Sequence, residues 1–489
     1  MKKIFIALCA LLVVLTAVIV IRTARLASRQ LHVTPATKPN LDRNAAAERL
    51  AEAIRHRTIS QQNPGDAERG EFLRFHQFLS TSFPLAHSRL TKEVIGGYSL
   101  LYTWKGQDPS LKPFLLMGHM DVVPVDPGSE KNWTHPPFAG QIAAGYIWGR
   151  GSMDDKVNVL GILEAVEYLL STGFQPRRTL LLAFGHDEEI GGGSGAAQIA
   201  ALLKARRIEI EYVLDEGGNI TRDIISGVAA PVALVGIAEK GYLSLQLTVE
   251  TPGGHSSTPP EHTAIGILSG AIRRLEREPF PSKLAEPTRQ FFEFIGPEMA
   301  WPQKIITANL WLFAPLLKSQ LEKSPLTSAM IRTTQAATMF ESGVKENVLP
   351  TKARAVVNIR ILTGETIAGV VDRLSGVIED STIKITPLSI RIEPSPVSNI
   401  ESKSFKQLHR TVREIMPEAL VAPFLLIAAT DSRHYEALTK NIFRFLPIVI
   451  GPEDTRRYHG INERISIDDY ERCVRFFGQL IRNSAGVLE

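Results

Sequence analysis

The feature that most restricts how this chain can fold is a series of short, wholly apolar runs, each followed by a cluster of His, Asp or Glu. Residues 113–117 and 179–184 are such runs, and a third begins at Tyr212 (YVLD). Runs of this length without polar alternation suit strands buried on both faces, as in parallel sheets. Between the first two, residues 156–171 are apolar at helical spacing through Val159, Ile162, Leu163, Val166, Leu169 and Leu170, and stop before Gly173. That spacing predicts a helix, and the strand–helix–strand alternation predicts a parallel-sheet α/β domain.

Four polar clusters sit just beyond these elements: His119-Met120-Asp121, Asp154-Asp155 within GRGSMDDK, Asp187-Glu188-Glu189 and Asp215-Glu216. Ligand sites in open parallel sheets assemble at the carboxyl ends of the strands. A single acidic pair is usually a solvated loop, but successive clusters at strand ends, several opening on glycine-rich turns, are not explained by solvation. Converging carboxylates repel one another unless cations are present. The chain has 2 cysteines, Cys9 in an apolar N-terminal run and Cys473 near the C-terminus, so a metal here must be held by His, Asp and Glu. Such a set suits Zn²⁺ or a similar divalent ion, with one carboxylate able to bridge two of them. In the H-x-D spacing, strand alternation lets Asp121 lie behind the ring of His119 and fix its tautomer. An H-E-x-x-H helix is absent from the sequence, and Gly191–Gly195 lacks the G-K-[ST] ending of a phosphate loop.

The pattern changes near residue 240. Residues 242–249 alternate apolar and polar, a helical pattern covers about 262–277, and a strand at 355–361, a helix at 365–379 and a strand near 383–392 follow. This predicts a two-layer α+β domain inserted into the first. The resulting division is 1–30 anchor or signal, 31–44 linker, 45–239 first catalytic segment, 240–395 lid with an apolar insert at about 280–340, and 396–489 second catalytic segment.

Residues 4–21 are uncharged and almost wholly apolar, flanked by Lys2-Lys3 and by Arg22, Arg25 and Arg29. As a helix they rise about 27 Å, enough to cross a hydrocarbon core of roughly 30 Å. The residues that follow carry no A-x-A cleavage pattern, so an uncleaved membrane anchor with the body outside the cytoplasm is expected, a secreted form being the alternative. Residues 1–40 hold six of the 55 Lys+Arg and no acid, leaving 49 basic against 51 acidic residues elsewhere. No phosphate-neutralising surface is indicated, and nucleic acid is not expected as a partner.

The stretches LLMGHMDVVP, NWTHPPFAGQIAAGYIWGRGSMDDK, GHDEEIGGGSGA, VLDEGG, GGHSSTPP and RYHGINERIS resemble, in order, the di-zinc aminoacylase/carboxypeptidase S metallopeptidase family. Within it, LAFGHDEE, NLWLFAPLL, SPLTSAMIRTT, GVKENVLP and ATDSRHY are most similar to the branch of the N-fatty-acyl-amino-acid synthase/hydrolases. The resemblance implies a catalytic domain with a mixed, mainly parallel sheet flanked by helices, two zinc ions, and a lid that often dimerises. Carried over residue by residue, His119 and Asp215 would bind one zinc, Glu189 and His459 the other, and Asp154 would bridge them. Glu216 is the alternative to Asp215. Asp121 would orient His119, Glu188 would be the general base, and His255 in the lid would stabilise the oxyanion, often from the partner subunit. Asn347, Arg360 and Arg433 are candidates for gripping the substrate carbonyl and carboxylate.

The expected reaction is hydrolysis of an amide, with reversible condensation open, on N-acyl amino acids carrying long acyl chains. The apolar insert, with Phe291, Phe292, Phe294, Trp301, Trp311, Leu312 and Phe313, could line an acyl channel or instead form lid core or a dimer contact. A carboxypeptidase or dipeptidase would share the metal ligands. A non-catalytic, membrane-tethered binding protein would lack a ligand or the base.

Overall fold

The apolar runs pair into one large sheet in the computed structural model, which describes residues 1–62 and 65–486. Among the described residues the sheet has ten strands. Its order is Thr91–Ile95, Ser99–Trp104, Leu180–Gly185, Phe114–His119, Val213–Asp215, Ile442–Arg444, Val232–Glu239, Ile220–Thr221 and Val449–Ile450, with Leu420–Leu426 pairing on Val232–Glu239. Leu180–Gly185, Phe114–His119, Val213–Asp215 and Ile442–Arg444 run parallel side by side, so their carboxyl ends open on one edge. Antiparallel pairings flank them, making the sheet mixed. Every residue of Phe114–His119 and Leu180–Gly185 is buried, which is why their sequences lack polar alternation.

Helices cover both faces. Lys156–Ser171 lies against Phe114–His119 and against the terminal helix Ile467–Ala485, while Ala196–Ala205 covers the other face with Leu101, Leu115, Met117 and Val213. The fold is α/β, with a large, mainly parallel sheet between helices.

After Val232–Glu239 the chain enters a second sheet, ordered Thr334–Ser342, Lys352–Ile361, Gly241–Glu250 and Lys384–Ile392, antiparallel throughout. Helices Ala264–Arg277 and Ile367–Ile378 pack on one face through Leu268, Leu275, Val370 and Leu374, against Leu243, Leu245, Ile359 and Ile361. A two-stranded ribbon, Gly254–His255 with Val348–Leu349, projects from it.

Two segments differ from the sequence expectation. The stretch read as one insert at about 280–340 does three things. Helix Glu286–Ile295 packs on Leu420–Leu426 of the large sheet, and its Phe291, Phe292, Phe294 and Ile295 belong to the core around that sheet rather than to the core of the second sheet. Burial of each such side chain stabilises the fold by about 1.5–3 kcal/mol. Helices Trp301–Ala308 and Leu310–Leu321 remain on the surface, and the last segment is the lid edge strand Thr334–Ser342.

The second difference is residues 31–44, expected as a linker, which lie along the body. Leu31 O accepts from Arg413 Nε (3.2 Å) and Ala36 N–H donates to Glu414 O (2.9 Å); just before them the Gln30 side chain exchanges hydrogen bonds with Val421 (3.0 and 2.8 Å) and Arg29 pairs with Glu293 and Glu401. Before them, Lys2–Arg25 forms a single helix long and apolar enough to cross a membrane.

Candidate active site

Three of the four polar clusters stand at the carboxyl ends of the parallel strands, and the fourth caps an adjoining helix. His119 ends Phe114–His119, Glu188 and Glu189 form the turn after Leu180–Gly185, and Asp215 ends Val213–Asp215 with Glu216 next. Asp154 precedes Asp155, the N-terminal cap residue of Lys156–Ser171. A loop from the C-terminal region brings in His459, whose backbone has φ 57°, in the left-handed region.

The side chains converge on Asp154. Its Oδ1 lies 3.0 Å from His119 Nε2, and its Oδ2 lies 3.2 Å from His459 Nε2. Glu216 Oε1 is 3.4 Å from His119 Nε2, and Glu189 Oε2 is 3.2 Å from His459 Nε2. Two donor triads result, His119–Asp154–Glu216 and Asp154–Glu189–His459, sharing one carboxylate. Nitrogen and oxygen donors at about 2.0–2.2 Å from a tetrahedral zinc stand about 3.3–3.6 Å apart, close to the observed 3.0–3.4 Å edges. Glu189 Oε1 is buried without a hydrogen-bond partner. The donor set therefore fits two divalent cations.

Asp215, expected beside His119, is directed elsewhere. Its Oδ2 accepts from Ser432 N–H (2.9 Å) and its Oδ1 from Glu216 N–H (3.0 Å), so it ties the strand end to the 430–433 turn. Successive side chains at a strand end point to opposite sides, and the pairing of Val213–Asp215 with Phe114–His119 and Ile442–Arg444 sends Glu216 to the cluster. The correction is one residue along the chain and reverses the direction of the carboxylate.

Asp121 stands behind His119. The His119 Nδ1–H donates to Asp121 O (2.9 Å), with Asp121 Oδ1 at 3.3 Å, which leaves the Nε2 lone pair facing the cluster. The Asp121 carboxylate also accepts from Ser60 Oγ and from the backbone N–H groups of Glu188 (3.2 Å) and Glu189 (3.1 Å). One residue thus holds the histidine, through its carbonyl, and the acidic turn, through its carboxylate. The geometry assigns comparable support to Arg150 and Glu463, neither of which was singled out as a site residue from the sequence. Buried Glu463 pairs with Arg150 (2.7 Å) and accepts from Met153 N–H and Asp154 N–H, while Arg150 donates to the carbonyls of His459 and Gly460. They lock the Asp154 loop to the His459 loop. The signal lay in the GRG and HGINE stretches, but their meeting is a tertiary fact.

Crowding is evident in the proton affinities. Burial pushes the Glu188 carboxyl well up, and the carboxylates of Asp431, Glu216 and Glu189 add to it. Burial, then Asp154, raises Glu216 to about 8. Burial acts the same way on Asp154, but hydrogen bonds to His119 and His459 prevail and hold it below the ordinary carboxylate range. Hydrogen bonds to Asp154 and Glu189 raise His459 to about 10. Bound cations would relieve this repulsion. Buried Asp431, also missed in the sequence, lies beside Gly185 and Gly192, where a Cβ at either glycine would meet its carboxylate within 3 Å.

The remaining candidates stand apart from these triads. His255 and Asn347 lie exposed on the lid ribbon, where Ser256 N–H donates to Asn347 O. Arg360 is half-buried on Lys352–Ile361, with its guanidinium 4.7 Å from the Tyr242 ring centre. Arg433 donates to Thr430 O (3.1 Å) and Gly191 O (2.9 Å), so both arms shape the acidic turn.

The sheet, the strand-end carboxylates and the paired triads define a metal-dependent hydrolase acting on amide bonds. The chain belongs to peptidase family M20/M25/M40, whose family model matches residues 115–483. It is 44% identical over 487 residues to the probable carboxypeptidase S-like 2 of Dictyostelium discoideum, covering 97% of this chain and 93% of that protein. It is 44% identical over 415 residues to the N-fatty-acyl-amino acid synthase/hydrolase PM20D1.1 of Danio rerio, covering 84% and 80%. Among solved structures, the M20 family metallo-carboxypeptidase Sso-CP2 from Sulfolobus solfataricus shares the fold at a TM-score of 0.65 and 18% identity, covering 89% of this chain and 98% of that one.

Proposed function

We propose that the protein is a di-zinc amidohydrolase that cleaves, and in reverse can form, the amide bond of N-acyl amino acids with long acyl chains. The observation that carries the two-ion reading is Asp154, whose two oxygens face the histidines of the two triads, and the acyl-amino-acid substrate is supported by the similarity to the N-fatty-acyl-amino acid synthase/hydrolase PM20D1.1 of Danio rerio. His119, Asp154 and Glu216 would hold one ion, and Asp154, Glu189 and His459 the other. When bound, the ions lower the pKa of a water in the site and polarise the substrate carbonyl.

Glu188, close to both triads and outside them, takes the proton of the attacking water and passes it to the leaving nitrogen as the C–N bond breaks. His255 is suited to donate to the developing oxyanion. Its Nδ1 accepts from Ser257 N–H (3.1 Å), which places its hydrogen on Nε2. Asn347, its ribbon neighbour, offers an amide donor for the same carbonyl. Arg360 has no carboxylate partner among the described residues, and burial lowers the proton affinity of its guanidinium. A half-buried cation of this kind suits the free carboxylate of an amino acid product. Arg433 we assign to positioning the Glu188–Gly191 turn rather than to gripping substrate.

The lid edge strand Thr334–Ser342 exposes Met339 and Phe340, which supports a homodimer formed through the lid. The apolar helix Lys2–Arg25 supports a membrane anchor.

The choice between Glu216 and Asp215 is testable by metal content. Glu216→Gln is expected to lose one ion per chain, whereas Asp215→Asn is expected to retain two and to lower thermal stability by loosening the 430–433 turn. The reverse pattern in elemental analysis would return the ligand role to Asp215.

Substrate class is read by giving the zinc-loaded full chain, in detergent, N-oleoyl-phenylalanine, N-acetyl-phenylalanine and Gly-Phe, with a chelator control. Preference for the oleoyl substrate, abolished by chelation, is expected. The carboxypeptidase S-like relative favours a second reading, release of C-terminal residues from short peptides, and preference for Gly-Phe would select it.

A further inference from the structure

Trp301–Ala308 and Leu310–Leu321 bury no residue completely. Trp301 (60% exposed), Trp311 (55%), Leu312 and Leu316 face outward, while Leu317 and Leu321 back onto the body's core. Between residues 299 and 321 the only charged side chains are Lys304 and Lys318, with no acid. Exposed Trp and Leu over a basic, acid-free stretch is the composition of helices that lie at the boundary between lipid headgroups and acyl chains.

The position of this patch in the fold identifies what covers it. Asn309, wholly buried between the two helices, donates through Nδ2 to Ile19 O (3.3 Å), Thr23 Oγ1 (3.1 Å) and Ile305 O (3.0 Å). Thr23 is the one buried residue of Lys2–Arg25. The contact therefore falls on the turn where the apolar run ends and Arg22 and Arg25 begin, which in a membrane lies at the headgroup level. Arg29 and Gln30 then tie the following chain to the body, so no free tether separates body from bilayer.

We propose that Trp301–Ala308 and Leu310–Leu321 form a membrane-docking surface that rests in the interface of a phospholipid bilayer beside the exit point of the anchor helix. The proposal stands on the membrane-anchor reading of Lys2–Arg25 and adds a second contact, which fixes how the body sits on the lipid.

The chain supplies its own reporter. Of its 5 tryptophans, Trp104, Trp133 and Trp148 are buried, leaving Trp301 and Trp311 as the exposed pair. The full chain is reconstituted in phosphatidylcholine/phosphatidylglycerol vesicles with and without dibrominated phosphatidylcholine, and anchoring is read separately by resistance to alkaline carbonate extraction. Bromolipid quenching of tryptophan fluorescence is expected, strongest for bromines near the headgroup. The Trp301→Phe/Trp311→Phe variant, altered only at exposed positions, is expected to lose most of that quenching while remaining carbonate-resistant. Carbonate resistance without quenching overturns the docking surface and leaves the anchor reading intact, as does quenching unchanged in the double variant. Patch-to-patch cross-linking between copies without quenching also overturns it, by assigning the face to a dimer. Release by carbonate overturns the anchor reading and the proposal together.

Discussion

Glu188→Gln is expected to retain two ions per chain and to lose at least about 10²-fold in kcat, the usual cost of removing a general base. The substitution is nearly isosteric. The backbone N–H of Glu188, which donates to Asp121 (3.2 Å), is untouched, so the turn keeps its place. Glu188 belongs to neither donor triad, so metal content should not move. What disappears is a carboxylate whose proton affinity is raised by burial and by Asp431, Glu216 and Glu189. Elemental analysis beside steady-state kinetics checks both halves. Turnover near wild type would remove Glu188 from the mechanism, and loss of an ion would make it a ligand instead.

Asp154→Ala is expected to empty both metal sites and bring activity to background. Every other donor serves one triad, whereas Asp154 serves two through separate oxygens. Outer partners of metal ligands typically cost about 10–100-fold in affinity when removed, and a shared ligand should exceed that at each site. His459→Ala provides the contrast, since it should remove one ion and leave the His119 site occupied. Glu463 and Arg150 still hold the loop in Asp154→Ala, because Glu463 accepts from the backbone N–H of residue 154. Retention of two ions by Asp154→Ala would falsify the shared-carboxylate reading.

Much of the catalytic body was legible in the linear chain. The wholly apolar runs at 113–117 and 179–184 became Phe114–His119 and Leu180–Gly185, and the 3.6-residue periodicity of 156–171 became Lys156–Ser171. These signals are local, because a strand buried on both faces is almost wholly apolar and the apolar positions of a helix packed on it recur at helical spacing. The second sheet was legible for the same reason at 242–249, 355–361 and 383–392. Its edge strand Thr334–Ser342 was not, being mostly exposed and lying beside an apolar stretch that masked its pattern.

The apolar stretch at 280–340 marks the limit of composition as a guide. Phe291, Phe292 and Phe294 fill the core beneath Leu420–Leu426, while Trp301 and Trp311, also aromatic, stay on the surface. Transfer from water favours burial of all of them, and which ones meet a partner surface on the body is decided by the tertiary fold.

By itself the sequence determined which side chains are available for chemistry, the strand and helix ends that carry them, and a helix able to span a membrane. Each of these depends on residues close together in the chain. The tertiary structure alone decided that Glu216 rather than Asp215 turns toward His119, that Arg150 and Glu463 join two distant loops, and that Asp154 lies between two histidines from opposite ends of the chain. The first outcome is set by the register of neighbouring strands, where a shift of one residue reverses the direction of every side chain, and the other two by the meeting of loops far apart in the chain.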